Sequence, residues 1–419
     1  MSRIQDFNFA GQVAVVRVDF NVPFNEEDRI TDDTRMRAAL PTLEKILSDG
    51  GTAVVLSHLG RPKKADPALS LRKIAPHLAE LTGRAVHFSE APIGPAAQEF
   101  VTSLPQGSLI LLENIRFYEE EEGKLRNADA YTTEEELKQA KADLKTRQKA
   151  FAAQLAALGN VYVNDAFGTA HRAHASTALI ADSFPKDRRL FGFLMEKEVQ
   201  AVEQVLTKAQ KPFTAIVGGA KVSSKIDIIK NLLDRVQNLV IVGGMAYTFV
   251  KAQGGSVGKS LVEDDKLEVA REILQAARDK GVNLLLPAHT VATQAFEADA
   301  PAQNFPTDRI PEGWMGMDVS AQGLVPILEA LKSSKTILWN GPAGVFEFDR
   351  FAQGSLEIAR AVAQATQAGA YSLVGGGDSV ACIHKLGLED QISYVSTGGG
   401  ALLEAIEGKT LPGVAAIQN

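Results

Sequence analysis

The stretch TAIVGGAKVSSKIDIIKNLL, residues 214–233, decides the fold. A short apolar run over 215–217 breaks at Gly218 and Gly219, Lys221 follows on the turn, and Ile226, Ile229, Leu232 and Leu233 recur at helical spacing. Strand, glycine turn, helix is the order this predicts. Glycines at such a turn leave backbone N–H groups open at a helix start, where the dipole also favours an anion, so the geometry suits a phosphate. Lys221 and Lys225 would add positive charge to one side of it. An ordinary βα turn with two solvated lysines would produce the same letters.

The pattern repeats toward the C-terminus. LVIV at 239–242 runs into Gly243 and Gly244, NLLL at 283–286 into Pro287, TILW at 336–339 into Asn340, Gly341, Pro342, Ala343 and Gly344, and YSLV at 371–374 into Gly375, Gly376, Gly377, Asp378 and Ser379. Strands alternating with helices imply a parallel sheet, and ligands bind beyond the carboxyl ends of such strands. Here those ends are glycine-lined, so flat rings and phosphate chains can approach the backbone closely. A nucleotide fits this half. Asp378, opening a helix, offers a carboxylate able to hold Mg²⁺ beside the phosphates, and serves equally well as a helix N-cap. Glu347, three residues past Gly344, can accept from ribose hydroxyls. Two other nucleotide motifs fail. GGSVGKS at 254–260 places Gln253 where a P-loop needs glycine and follows a helix pattern, and Gly218-Gly219 lacks the spacing and downstream acid of a dinucleotide fingerprint.

The first half has the same alternation with a different rim. QVAVVRV (12–18) ends at Asp19, Phe20, Asn21 and Pro23; TAVVL (52–56) runs into Ser57, His58, Leu59, Gly60 and Arg61; SLILL (108–112) into Glu113, Asn114 and Arg116; and VYV (161–163) into Asn164, Asp165 and the run from His171 through Arg172 to His174. Helical patterns lie between, over 36–47, over 71–81 with Ser70 as N-cap, and over 133–158. Arg35, Arg61, Arg116 and Arg172 can all reach one rim, which is what bidentate recognition of carboxylate and phosphate requires. A small, doubly anionic substrate fits such a cluster. Singly, each residue has a blander reading: Asp19 and Asn21 as turn caps, His58 as a satisfied loop histidine. The charged stretch 119–129 is expected to be an exposed loop, and a helical pattern over 196–208 follows a Pro- and Gly-containing boundary.

At 419 residues the chain exceeds what one core usually holds, so two domains are expected. A formal charge of -7 argues against bulk nucleic-acid binding. The single cysteine, Cys382, excludes an intrachain disulfide and a cysteine-cluster metal site. No run approaches the roughly 18 apolar residues of a membrane helix, and MSRIQDFNFAG lacks a basic-then-apolar export signal, so no membrane partner and a cytoplasmic location are expected.

Taken together, VDFNVP (18–23), SHLGRP (57–62), LLENIRF (111–117), VNDAFGTAHRAH (163–174), GGAKVSSKI (218–226), WNGPAGVFE (339–347) and GGGDS (375–379) resemble the phosphoglycerate kinase family, in family order and over nearly the whole chain. The resemblance implies an α/β monomer of two doubly wound, Rossmann-like parallel-sheet domains joined by a hinge helix. Residues 1–185 would bind 3-phosphoglycerate or 1,3-bisphosphoglycerate, with the tail 405–419 packing back on them; 186–200 would be the hinge, and 201–404 would bind ATP or ADP. The implied reaction is Mg²⁺-dependent phosphoryl transfer between 1,3-bisphosphoglycerate and ADP. By motif, Asp19, Phe20, Asn21, Arg35, His58, Leu59, Gly60, Arg61, Arg116 and Arg172 would hold the phosphoglycerate. Gly219, Ala220, Lys221, Lys225, Gly243, Gly244, Asn340, Pro342, Glu347 and Gly375 to Ser379 would hold the nucleotide, with Asp378 on the metal. Arg35, Lys221, Gly376 and Gly377 would serve the transfer itself. Ser224 stands where the family often has Asp, and Ser379 where it often has Thr. A non-catalytic binding protein on the same scaffold would bind both ligands without turnover, and an NAD-dependent dehydrogenase is disfavoured by the missing fingerprint.

Overall fold

Strands of three to six mostly apolar residues, separated by helices, can bury both faces only in a sheet covered on each side. The computed structural model describes residues 3–418 and builds two such sheets. The chain divides into one unit of residues 1–199 with 410–419, and another of residues 200–409.

The first unit runs β1 (Val13–Val18), α1 (Thr34–Ser48), β2 (Thr52–Leu56), α2 (Ala75–Thr82), β3 (Val86–Ser89), α3 (Gly94–Ser103), β4 (Leu109–Leu112), α4 (Glu119–Glu122), α5 (Glu134–Ala156), β5 (Val161–Asp165), β6 (Arg189–Phe191) and the start of α6 (Phe193–Leu206). Its six strands are all parallel in the order β3-β4-β2-β1-β5-β6. The order reverses between β1 and β5, so the crevice for a ligand opens where Asp19 leaves β1. Val16, Val18, Leu43, Val55, Leu111 and Val163 form its core.

Three expectations are corrected here. Ser70 caps a 3₁₀ turn, Leu71–Ile74, and α2 begins only at Ala75. Residues 119–129 are not simply an exposed loop: α4 turns Glu121 fully inside. Strands β3 and β6, unseen in the sequence, flank the sheet. As edges they are short and only partly apolar, so no buried run marks them.

The second unit continues with β7 (Phe213–Val217), α7 (Ile226–Leu232), β8 (Asn238–Ile241), α8 (Met245–Ala252), β9 (Ser256–Val257), α9 (Leu267–Asp279), β10 (Asn283–Leu285), β11 (His289–Thr293), β12 (Ala302–Pro306), β13 (Arg309–Ile310), β14 (Met315–Val319), α10 (Ala321–Ser333), β15 (Thr336–Asn340), α11 (Gln353–Gln367), β16 (Tyr371–Gly375), α12 (Gly377–Leu386), β17 (Tyr394–Val395) and α13 (Gly400–Ile406). The main sheet is parallel, β10-β8-β7-β15-β16-β17, and reverses between β7 and β15. A small antiparallel sheet, β12-β11-β14, and the β9–β13 pair share a separate apolar cluster of Tyr247, Val250, Val257, Ala292 and Ile310. Their polar strands, such as AQNFP, gave no strand signal.

The tail, α14 (Pro412–Gln418), belongs to the first unit. Gly413 donates its N–H to the Ala170 carbonyl at 2.8 Å and accepts from the Asn164 amide at 3.4 Å, and the Ala416 carbonyl accepts from Arg189 at 3.3 Å. A Cβ on Gly413 would stand 3.0 Å from the Ala170 Cα, a tight contact that glycine avoids where the helix docks. Deleting residues 410–419 is expected to strip hydrogen-exchange protection from β5 and residues 167–170 while leaving β7, β15 and β16 protected; equal loss in both units would refute this division of contacts.

Candidate functional site

In the first unit the crevice at the end of β1 is lined by charge. Arg35, in the first turn of α1, reaches the Asp19 carboxylate at 3.3 Å and the Asn21 carbonyl at 3.1 Å. The Asn21 amide oxygen accepts the Gly60 N–H at 2.8 Å, and the Gly60 carbonyl accepts from Arg116 at 3.1 Å. One hydrogen-bonded chain thus links the loops after β1, β2 and β4. Phe20 and Leu59 are buried and offer the rim only backbone. Arg61 and Arg172 are exposed, and among the described residues neither has a carboxylate within 4.0 Å. The Arg116 Nε is buried without a hydrogen-bond partner, with the Glu122 carboxylate 3.8 Å away.

Beneath this rim lies a layer the sequence did not disclose. Arg17, alone in an apolar strand, is fully buried. It donates to the Ser176 hydroxyl at 2.7 Å, to the Val18 carbonyl, and to His58 Nδ1 at 3.2 Å. The Ser176 hydroxyl in turn donates to Glu121 at 2.6 Å, and the Ser176 N–H reaches the other Glu121 oxygen at 3.0 Å. Burial raises the Glu121 carboxyl above its usual range, with the Arg17 charge and the Ser176 bonds pulling the other way. A buried arginine needs such an acceptor, and Glu121 supplies the opposite charge. The sequence signals were present: one arginine inside an apolar strand, and four glutamates of which a helical turn must face one inward.

The same layer fixes His58. Burial, then the charges of Arg17 and Arg116, hold its imidazole well below the usual histidine range, so it is neutral. An arginine has no acceptor, so Nδ1 must accept from Arg17 and the proton must sit on Nε2. That nitrogen lies 3.9 Å from an Asp19 oxygen. His58 therefore presents a hydrogen-bond donor toward Asp19 and is not poised as a general base. His174 is pushed down to about 3 by burial and by Arg116 and Arg17.

In the second unit the rim is backbone. Gly218 packs so closely on the loop after β15 that a Cβ would lie 2.3 Å from the Pro342 carbonyl oxygen, and its N–H donates to the Asn340 carbonyl at 2.8 Å. A Cβ on Gly243 would meet Gly219 oxygen at 2.7 Å, and one on Gly244 would meet Ala220 oxygen at 3.1 Å. The glycines of 218–219 thus serve loop-on-loop contact at the switch point; α7 does not begin until Ile226, after a 3₁₀ turn at Val222–Ser224. Asn340 is the hub. Its side chain donates to the Gly375 carbonyl at 2.8 Å and accepts from Lys225 Nζ at 2.5 Å. Burial lowers the Lys225 ammonium, with Glu407 and Asp378 opposing. The Ser379 hydroxyl accepts the Gly341 N–H at 2.6 Å, and Gly376 adopts φ 96° ahead of α12.

Lys221, Glu347, Gly377 and Asp378 stand exposed around these loops. Leu261 and Phe296, 47% and 61% exposed, are apolar residues that motif reading passed over; Leu261 comes within 3.1 Å of where a Cβ on Gly244 would be. No group of three or more His, Cys, Asp or Glu side chains among the described residues is arranged to hold a metal. A lone exposed carboxylate, Asp378, fits Mg²⁺, which keeps waters and takes most ligands from phosphates.

The family model described as phosphoglycerate kinase matches residues 4–409. Over 415 residues the chain is 58% identical to the phosphoglycerate kinase of Porphyromonas gingivalis, covering 99% of each protein. It is 47% identical over 414 residues to the cytosolic phosphoglycerate kinase 3 of Arabidopsis thaliana, covering 99% of this chain and 97% of that one. The solved phosphoglycerate kinase of Coxiella burnetii superposes with a TM-score of 0.84 at 36% identity, over 100% of this chain and 98% of that one. As a check on the buried layer, ¹⁵N imidazole shifts are expected to show His58 neutral and protonated at Nε2 at pH 7; an Nδ1–H tautomer would mean that Arg17 does not hold the ring.

Proposed function

The chain belongs to the phosphoglycerate kinase family, and from that premise we propose how its two rims divide the reaction. The enzyme transfers a phosphoryl group between 1,3-bisphosphoglycerate and ADP. The first unit's rim holds the phosphoglycerate: Arg61, Arg116 and Arg172 bind its phosphate and carboxylate charge, His58 donates from Nε2, and Asp19 and Asn21 orient it and Arg35. The second unit's rim holds ATP or ADP, with phosphates along Gly219, Lys225 and Gly375 to Ser379 and the ring and ribose beside Gly243, Gly244, Pro342 and Glu347. The observation that carries this reading is the excess of guanidinium on the first rim, where Arg61 and Arg172 have no carboxylate within 4.0 Å among the described residues and Arg116 meets Glu122 only at 3.8 Å.

The chemistry matches those residues. An acyl phosphate needs no strong base to react, and the acceptor carboxylate is already ionised, so a neutral, donating His58 is no defect. Phosphoryl transfer asks mainly for positioning and neutralisation of charge. Arg35 and Lys221 supply it for the group in flight. Mg²⁺, when bound, would neutralise phosphate oxygens, held by Asp378 and the nucleotide. Direct in-line transfer requires the two ligands to meet with water excluded, which makes closure about the α6 segment part of the proposal. Monomeric operation belongs to the proposal too, as does a cytoplasmic location, the latter supported by the cytosolic naming of plant relatives.

Incubation with 3-phosphoglycerate, ATP and Mg²⁺, with hydroxylamine present, is expected to yield acyl hydroxamate, and chelation of the metal to abolish it. No hydroxamate despite calorimetric binding of both ligands would leave a binding protein on this scaffold. Lys221→Met is expected to lower kcat on the order of 10³-fold with both ligands still bound; near-normal turnover would remove Lys221 from the transfer step.

A further inference from the structure

Behind the nucleotide rim sits a carboxylate that the transfer chemistry does not use. Asp318, near the end of β14, is only 2% exposed, and burial pushes it up to about 7. Its oxygens accept the Val319 N–H at 2.8 Å and the Gly354 N–H at 2.8 Å, with the Gln353 N–H as a further donor. Gln353 and Gly354 are the first residues of α11, whose own N-cap position holds Ala352, a residue with no side-chain acceptor. A side chain from another strand therefore supplies the cap that Ala352 cannot. Two glycines make the room. A Cβ on Gly344 would stand 2.3 Å, and one on Gly354 2.4 Å, from the same Asp318 oxygen.

The capped turn and the strand beside it hold the loop after β15. Ser355, in the first turn of α11, accepts the Ala343 N–H at 2.8 Å through its hydroxyl. The Met317 carbonyl, adjacent to Asp318, accepts the Val345 N–H at 2.8 Å. The Ala343 carbonyl then accepts the Gly243 N–H at 3.1 Å, tying this loop to the next. We propose that Asp318 is a positioning residue for the nucleotide: by capping α11 and filling the space left by Gly344, it fixes the segment between Pro342 and Glu347 without touching the ligand. A buried carboxylate is costly unless its hydrogen bonds are used, and here those from Gln353 and Gly354 hold the turn whose Ser355 binds that loop. The inference rests on the nucleotide assignment above.

Steady-state kinetics and calorimetry on the full chain test it, with Asp318→Asn and Ser355→Ala beside the unaltered protein. Asn keeps the shape but replaces one acceptor oxygen with a donor; Ser355→Ala cuts the next link and leaves the carboxylate in place. Asp318→Asn is expected to raise the KM and Kd for ATP about tenfold, and Ser355→Ala about threefold, while the KM for 3-phosphoglycerate stays within twofold. Should Asp318→Asn fail to fold, Ser355→Ala decides alone. Unchanged nucleotide affinity in a folded variant, or equal rises for both ligands, would overturn the proposal. Failure of the unaltered protein to transfer phosphate would instead sink the functional reading, and calorimetry with ATP would still decide the role of Asp318.

Discussion

Backbone lying directly on backbone, at the point where β7 and β15 diverge, is the constraint from which the second unit's rim follows. Four loops leave the sheet within reach of one another, and side chains at 218, 243 or 341 would hold them apart. With glycine there, Asn340 can join three partners at once: the Gly218 N–H, the Gly375 carbonyl and Lys225. The rim is consequently a surface of peptide groups with one ammonium drawn into it. Such a surface suits a phosphate chain because its donors are fixed before the ligand arrives.

The first unit solves the complementary problem with side chains. Several guanidiniums placed together repel one another, so something beneath must anchor them. Glu121, held by Ser176 and wholly out of water, offsets the charges of both Arg17 and Arg116. An isolated buried charge would be prohibitively unfavourable, whereas a pair whose hydrogen bonds are satisfied is tolerable. The result is a rim on which Arg61 and Arg172 stay unpaired among the described residues, Arg35 meets Asp19, and the arginine beneath is fully engaged. One rim is thus built of charge, the other of closely approaching backbone.

Much of this was legible in the sequence because parallel strands are buried on both faces: VAVV, TAVVL, LILL and TILW announce themselves. What escaped has a common cause. Edge strands β3, β6 and β17 need only half an apolar face, β12 is so exposed that its residues stay polar, and β11 and β14 carry no continuous apolar run although most of their residues are buried. Gly218 and Gly219 were recognisable as a turn, yet whereas Gly219 needs glycine for its φ of 131°, Gly218 needs it for a loop more than 120 residues later, which no local pattern records. Glu121 sits among three other glutamates, and Asp318 in a short strand of a minor sheet; each is defined by partners distant in sequence. Local letters locate elements, whereas buried polar contacts depend on tertiary neighbours.

The docking of α14 has a consequence for how the molecule is made. Residues 410–419 complete the first unit but are synthesised after the whole of the second, so the first unit is an interrupted fold with a late final piece. During translation the second unit can finish while the first still lacks the helix that contacts Asn164, Ala170 and Arg189. The half that emerges first from the ribosome is thereby the half that closes last, because its order depends on residues made after the whole of the second unit.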